Sequence, residues 1–414
     1  MGNTEYRTRA ALRALGIGSV CVITYLMSYY MRSILSVVSP TLVAGPDFTE
    51  ESVALLSSVY MIVYAAGQLI NGFLGDYLRP KYMVLAGFIM GGTALSVFPL
   101  VPTGLPQVLC FGLLGFGFSM LRGPLVKTIA ENTEPKYARV CCAFLSFTCY
   151  AGPLAASLLA LFLDPFPLFT VSGIVAFIVA AAGFLLLSLM EKKGIICPLE
   201  RKKRTKTKKG GGAADFFAVF RIPRFIGFLF IGVIAEIIGT SASSWVPIFL
   251  NQALTFSDKT SGLIYSGMSI LRSCAPILCI FLYHLFGEND VKLMRIMFVT
   301  AASSFLLTVL IPFRIVRIAF TTIALITNSC AASALWTIYI PGLAKSGKVS
   351  GANGVIDCAG YVGASGMNLL FAAVRRMAGW NGLVGTWCAV ELIGVAITFF
   401  VGANRREENE EMAE

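Results

Sequence analysis

Charged side chains are scarce in this chain of 414 residues. Only 13% of the residues are Asp, Glu, Lys or Arg, whereas soluble domains carry about 25%. Apolar residues make up 57% of the chain, and they lie in repeated runs of about 20 residues, the length that crosses a bilayer as a helix. The shortage of charge argues against an ordinary soluble domain and predicts an all-α membrane protein.

Histidine is scarcer still, since His284 is the only one in the chain. A single histidine excludes a His-based metal site, and its place near a helix end leaves no nucleophile–histidine pair at bilayer depth. The eleven cysteines form no CxxC pair and lie mostly within apolar runs, which is typical of small buried side chains. We therefore expect neither enzyme activity nor a cofactor or bound metal.

Apolar segments long enough to span a bilayer occur twelve times. They are residues 15–43, 51–73, 82–101, 107–129, 139–162, 166–190, 225–251, 259–285, 293–312, 318–340, 350–374 and 381–402. The longest interval holds the basic run 201–209 and then three glycines, 210–212. We predict an N-terminal six-helix bundle (1–190), a cytoplasmic basic linker (191–224), a C-terminal six-helix bundle (225–402) and an acidic cytoplasmic tail (403–414).

The basic residues predict the orientation of these helices. With the N-terminus in the cytoplasm, 25 of the 33 Lys and Arg residues lie on the inner side, five lie outside and three lie within spans. Positive charge is retained on the cytoplasmic side of membrane proteins. We therefore expect a multi-pass protein of the cytoplasmic (inner) membrane with both termini inside, and the basic linker favours contact with lipid headgroups rather than nucleic acid.

The two halves of the chain resemble each other. Phe48-Thr49-Glu50 follows Pro40 in the first half, and Phe256-Ser257-Asp258 follows Pro247 in the second. A hydroxyl residue followed by an acid suits a helix N-terminus. Two related six-helix halves predict a binding site at their interface near the middle of the membrane, with alternating access.

Arg32 lies near the middle of the first apolar segment. Its guanidinium stays charged, and a charge at bilayer depth is costly unless it meets water, an anion or a carboxylate. At helical spacing it shares one face with Tyr25, Ser28, Tyr29 and Ser36. A polar stripe with one fixed cation indicates a water-filled anion site.

The segment 72–81, GFLGDYLRPK, resembles the loop 2–3 signature of the major facilitator superfamily. The Asp76 carboxylate is suited to accept hydrogen bonds from the N-terminus of a neighbouring helix or from an arginine. We therefore expect a structural or gating role for Asp76. The resemblance implies twelve transmembrane helices in two pseudosymmetric bundles. It also implies that helices 1, 4, 7 and 10 line a cavity, while helices 2, 5, 8 and 11 gate it.

Within that superfamily the chain resembles the organophosphate:phosphate antiporters. The resemblance rests on YYMR at 29–32, RPK at 79–81, WVPIFL at 245–250, and GYVG at 360–363 followed by GWNG at 379–382. It implies that Arg32 binds substrate. The second substrate arginine of that family falls at Gly239, and its histidine falls near Thr148, so the clamp for a dianionic phosphate is not reproduced.

Four further charges within the spans are candidates for function. Arg272 is either a second substrate cation or the ion-pair partner of Glu236 or Asp357. Glu236 either couples a proton or compensates charge, and its alternative is a permanent pair with Arg32 or Arg272. Arg122 and Asp357 are expected at a gate or in a structural pair, although Arg122 could instead snorkel or bind substrate. Glu391 has no assigned role.

Neutral side chains complete the predicted site. Those on helices expected to line or gate the cavity are Tyr25, Tyr29, Gln68, Asn328, Trp336 and Tyr339, with packing as the alternative role. The sequence predicts a monomeric secondary transporter in a lipid bilayer that moves a small organic anion by proton symport or anion exchange, with protons or phosphate as the coupled ion. The alternatives are a sugar-phosphate or glycerol-phosphate:phosphate antiporter, which Gly239 disfavours, and a transporter-like receptor.

Overall fold

The computed structural model describes residues 3–197 and 218–411, with side chains for 5–197, 218–257 and 259–402. Within these ranges the chain is helical and contains no β-strand, which confirms the all-α prediction. The basic run 201–209 and the glycines 210–212 of the predicted linker lie outside the described residues. So do residues 412–414 of the predicted tail.

The helices follow the apolar segments closely. Before the gap they are α1 (Asn3–Val43), α2 (Glu50–Tyr77), α3 (Pro80–Val97), α4 (Leu105–Ser119), α5 (Arg122–Asn132), α6 (Pro135–Leu159) and α7 (Pro165–Lys192). After the gap they are α8 (Phe225–Gln252), α9 (Asp258–Ser273), α10 (Ala275–Leu285), α11 (Asp290–Leu310), α12 (Arg314–Ala334) and α13 (Val349–Glu411). Ten helices of the described chain are long and apolar enough to cross a membrane, and α9 with α10 makes an eleventh if that bent pair is one span.

The repeated hydroxyl–acid motif begins a helix in each half. The Thr49 side chain accepts from the Ser52 backbone N–H at 3.2 Å, and the Ser52 side chain accepts from the Thr49 N–H at 3.0 Å. In the second half, the Ser257 side chain accepts from the Thr260 N–H at 3.3 Å. These bonds satisfy amide groups that have no partner within the helix. The motif therefore marks the start of α2 and of α9.

The predicted span 259–285 is not one straight helix. The helices α9 and α10 meet at Cys274 with a bend of 42°. Pro276 offers no N–H to the carbonyl of Arg272, and its ring crowds that carbonyl, so a regular helix cannot continue there. Arg272 consequently lies in the last turn of α9, next to the bend.

The last two predicted spans form one element, α13, interrupted at Gly379. That residue has φ 68° and ψ −162°, outside the helical region. A straight helix of this length would measure about 95 Å, roughly three times the apolar thickness of a bilayer. The interruption separates the predicted spans 350–374 and 381–402, so the element accounts for two crossings.

The described residues divide into two compact units. The first contains the described part of Met1–Phe216 together with Ile340–Cys358, and the second contains the described part of Phe217–Tyr339 and of Ala359–Glu414. In the first unit α1 packs on α6, α2 on α4, and α3 on α7, while α11 packs on α12 in the second. Ile340–Cys358 was predicted within the C-terminal bundle, yet it clusters with the first unit.

Candidate functional site

Arg32 on α1 is surrounded by aromatic rings in the first unit. Its Cζ lies 4.7 Å from the ring centre of Tyr29, 4.6 Å from that of Tyr64 and 5.5 Å from that of Tyr60. Tyr60 and Tyr64 come from α2 and their rings stack at 5.7 Å. Such rings stabilise a cation through their faces. The Arg32 side chain is half-buried.

Two tyrosine hydroxyl groups, one in this aromatic cluster and one beside it, are buried without a hydrogen-bond partner among the described residues. They are Oη of Tyr25 and Oη of Tyr60, on side chains that are 2% and 6% exposed. Tyr25 packs edge-on against Tyr29 at 5.1 Å. Buried polar atoms in native proteins are nearly always satisfied, so we expect each hydroxyl to meet a bound water or a ligand atom.

The tyrosines of α2 are absent from the predicted site. Tyr60, Tyr64 and Gln68 recur every four residues and share one face, and the Gln68 side chain donates to Tyr64 Oη at 2.6 Å. Gln68 itself is 1% exposed. The spacing that grouped Tyr25 with Tyr29 was present here too. Helical periodicity alone, however, does not reveal that this face of α2 meets Arg32.

The structure brings Arg122 and Asp357 together. Arg122 Nη1 lies 2.9 Å from Asp357 Oδ1, and the two side chains are 11% and 5% exposed. The side-chain amide of Asn353 donates to the other carboxylate oxygen at 2.8 Å. Arg122 begins α5 and Asp357 lies in α13, within Ile340–Cys358. This ion pair is therefore buried and joins that segment to α5.

Asp76 binds the beginning of α13. Its two carboxylate oxygens accept the backbone N–H groups of Ser350 at 3.0 Å and Gly351 at 2.9 Å. The amide groups of a first helical turn lack acceptors, and the helix dipole favours a negative charge there. Lys127 donates to the Asp76 carbonyl at 2.8 Å and lies 3.8 Å from the carboxylate. Asp76 is thus an N-terminal cap on a helix distant in sequence.

Arg272 in the second unit is held by two neutral groups. Its Nε donates to the Ser329 hydroxyl at 2.6 Å and its Nη1 to the Gly239 carbonyl at 3.4 Å. The side chain is half-buried. None of the ion pairs found among the described side chains includes Arg272.

Glu236 lies on α8, one turn before Gly239. Its carboxylate accepts from the Thr240 hydroxyl at 3.3 Å, and Gly360 of α13 packs against its aliphatic stem, since a Cβ there would lie 3.1 Å from Glu236 Cβ. The part of the chain with described side chains shows no ion pair for Glu236. In the described structure, Glu236 and Arg272 therefore do not form the ion pair that was the alternative role of Glu236.

The remaining predicted residues lie near the end of α12. Asn328 is 1% exposed and donates to the Ala235 carbonyl at 3.3 Å. Trp336 and Tyr339 belong to a π-helical turn, Leu335–Tyr339, a feature frequent at functional sites. The Tyr339 ring stacks on Phe228 at 3.6 Å, so packing accounts for part of its environment.

Glu391 is the most completely buried carboxyl group in the described part of the second unit. It is 0% exposed, and neither of its carboxyl oxygens has a hydrogen-bond partner in the described residues. It lies on α13 between Trp387 and Gly394, which pack against Phe305 and Phe298 of α11. The described side chains of this apolar seam do not stabilise a negative charge.

Glu391→Gln is expected to leave the free energy of unfolding in detergent within about 1 kcal/mol of wild type, because the amide has the same shape and no charge interaction is lost. Asp76→Asn is the matched control. The asparagine side chain would offer one acceptor oxygen to two N–H groups and no charge, so we expect a loss of about 1.5–3 kcal/mol. Denaturant titration of both variants tests this, and a Glu391→Gln loss as large as that of Asp76→Asn would contradict it.

Comparison with known proteins identifies the family. Residues 21–366 match the family model described as Major Facilitator Superfamily. A "Probable hexose phosphate transport protein" of Chlamydia muridarum (strain MoPn / Nigg) is 27% identical over 92 residues, which are 22% of this chain and 20% of the relative. The protein of that description from Chlamydia trachomatis serovar D matches equally. The match thus spans about a fifth of these curated relatives.

Solved structures share the fold over most of the chain. The E. coli fucose:proton symporter FucP has a TM-score of 0.73 and 13% identity, covering 94% of this chain and 98% of FucP. A bacterial homologue of the iron transporter ferroportin has a TM-score of 0.70 at 12% identity, covering 93% of this chain and 99% of the homologue. The human organic anion transporter MFSD10 has a TM-score of 0.66 at 14% identity, covering 93% of this chain and 99% of MFSD10. Fold and family model together confirm the predicted architecture, and this chain belongs to the Major Facilitator Superfamily.

Proposed function

We propose that this facilitator-family transporter moves a small organic anion and that Arg32 binds its anionic group. The observation that carries the proposal is the surroundings of Arg32. Three tyrosine rings lie within 5.5 Å of its Cζ, and one of them, Tyr60, carries a buried hydroxyl with no hydrogen-bond partner among the described residues. A guanidinium together with O–H donors suits a carboxylate or phosphate oxygen.

Aromatic rings and an anion use different parts of a guanidinium. A cation over an aromatic face is stabilised without use of its N–H groups, while a carboxylate or a phosphate binds in the plane of the guanidinium through two parallel hydrogen bonds. The ring contacts of Arg32 are therefore compatible with an anion bound in the plane of its guanidinium. The substrate class is a carboxylate or a phosphorylated metabolite.

Sugar-phosphate:phosphate antiport is the second candidate. The short match to the chlamydial proteins described as probable hexose phosphate transporters and the motif resemblance favour it. Gly239 in place of a second arginine weighs against it, because two cations suit a dianionic phosphate best. A single anionic group requires one such cation, and Arg32 supplies it.

Coupling and gating complete the proposal. Glu236 supplies a carboxylate that accepts a proton or compensates the empty site, so proton symport and anion exchange both remain as modes. For the Arg122–Asp357 pair and the Asp76 cap, which hold Ile340–Cys358 within the first unit, we propose a gating or structural role. The charge distribution supports the cytoplasmic membrane with both termini inside, and we propose a monomer.

Uptake into proteoliposomes tests the assignment of Arg32. With radiolabelled succinate, glycerol 3-phosphate and glucose 6-phosphate, Arg32→Ala is expected to reduce uptake of the accepted substrate by about tenfold to a hundredfold, the value of one charge-assisted hydrogen bond. Arg376→Ala removes an exposed arginine and serves as the matched control. Equal uptake by wild type and Arg32→Ala would overturn the proposal.

The same preparation separates a transporter from a receptor. A receptor would bind one of these anions, detected as a rise in apparent melting temperature, without net uptake by wild type. Binding accompanied by uptake supports transport. Binding that survives Arg32→Ala would remove Arg32 from the site in either case.

A further inference from the structure

The guanidinium of Arg272 occupies the space beside Gly239. A Cβ added at Gly239 would lie 3.0 Å from Arg272 Nη2, which is shorter than the usual separation of non-bonded atoms, about 3.5 Å. The absence of a side chain at this position of α8 therefore gives room for the guanidinium. Arg272 Nη1 also donates to the carbonyl of the same glycine.

Ser329 fixes the other end of the guanidinium. The hydroxyl of this 4% exposed side chain accepts from Arg272 Nε at 2.6 Å. The guanidinium is thus held between the backbone of α8 and a buried side chain of α12. Two contacts on different helices define its orientation more closely than one contact would.

The neutral partners leave the charge of Arg272 without a counter-ion in the described structure. Both are uncharged oxygens, and the ion pairs found among the described side chains do not include this arginine. A guanidinium within an apolar helix pair requires an anion or water. Its described hydrogen bonds use Nε and Nη1, so the N–H groups of Nη2 remain available for anionic oxygens.

We infer that Gly239, Arg272 and Ser329 form an anion subsite in the second unit, in which Arg272 binds a carboxylate or phosphate group and the other two position it. The inference rests on the proposed transport of an organic anion. It makes the residue at 239 a determinant of affinity, because any side chain there would displace the guanidinium.

Gly239→Ala isolates the positioning role. The atom displaced is the far end of a flexible side chain, so the protein is expected to fold with an unchanged melting temperature. We expect KM for the transported anion to rise at least tenfold while kcat stays within about twofold. Gly267→Ala on α9 is the matched control, since no atom lies within 4 Å of the added methyl group. Ser329→Ala should resemble Gly239→Ala.

Thermal-shift titration identifies the anionic group, with succinate as the carboxylate probe and inorganic phosphate and glucose 6-phosphate as phosphate probes. The probe that stabilises wild type should need at least tenfold higher concentration with Arg272→Gln. The subsite is overturned if none of the probes raises the melting temperature of wild type. It is also overturned if Arg272→Gln and Gly239→Ala respond to the probes as wild type does. If Arg32→Ala alone abolishes uptake, the proposed function stands and this inference fails.

Discussion

Arg122→Ala is expected to lower the free energy of unfolding by about 3–5 kcal/mol, because it leaves the Asp357 carboxylate buried without its cation. The Asp357 side chain is 5% exposed and lies 2.9 Å from Arg122. A second donor to this carboxylate, the Asn353 amide at 2.8 Å, is neutral and offsets only part of the desolvation cost. Denaturant unfolding in detergent, followed by far-UV circular dichroism, measures the loss.

Two controls distinguish this result from a general effect of losing an arginine. Arg9 pairs with Glu5 at 2.7 Å on side chains that are 64% and 53% exposed, and Arg9→Ala should change stability by less than about 1 kcal/mol. The double variant Arg122→Ala/Asp357→Ala removes both charges and should recover most of the loss. A double variant as unstable as Arg122→Ala would show that packing, rather than charge, is responsible.

Gly354→Ala is expected to abolish the docking of the first turns of α13 on α2. A Cβ at this position would meet the Gln68 carbonyl oxygen and would lie 2.9 Å from Gly72 Cα. Both atoms belong to the α2 backbone, which cannot move aside as a side chain can. Overpacking of this kind costs about 1–3 kcal/mol or more, and the displacement would also break the N–H contacts to Asp76.

The test compares two alanines on the same helix. A methyl group at Gly366 has no atom within 4 Å, so Gly366→Ala should keep wild-type stability and uptake. Gly354→Ala should lose both stability and uptake, and the loss of stability should appear as a lower midpoint of denaturant unfolding. Wild-type behaviour of Gly354→Ala would mean that the two backbones are not in contact in the membrane.

Local sequence signals predicted the helices well. The apolar runs indicated twelve spans, and the hydroxyl–acid motif marked the beginnings of α2 and α9, where Thr49 and Ser257 are caps. These features depend on residues within one or two helical turns. The bend at Cys274 was not predicted, although Pro276 was a local signal for it.

Pairing between helices is what the sequence could not supply. Arg122 and Asp357 were each predicted at a gate or in a structural role, yet nothing in the sequence indicated that two residues so far apart form one ion pair. The tyrosines Tyr60 and Tyr64 shared a helix face, but only tertiary structure brings that face to Arg32. Such contacts depend on which helix faces which, and residue spacing carries no information on that.

The division of the chain into units has a consequence for biosynthesis. Ile340–Cys358 belongs to the first unit, although the ribosome makes it after most of the second. The first unit therefore cannot complete its contacts as α1–α7 leave the ribosome. Until α13 is made, the Asp76 carboxylate lacks the N–H donors of Ser350 and Gly351, and Arg122 lacks the carboxylate of Asp357.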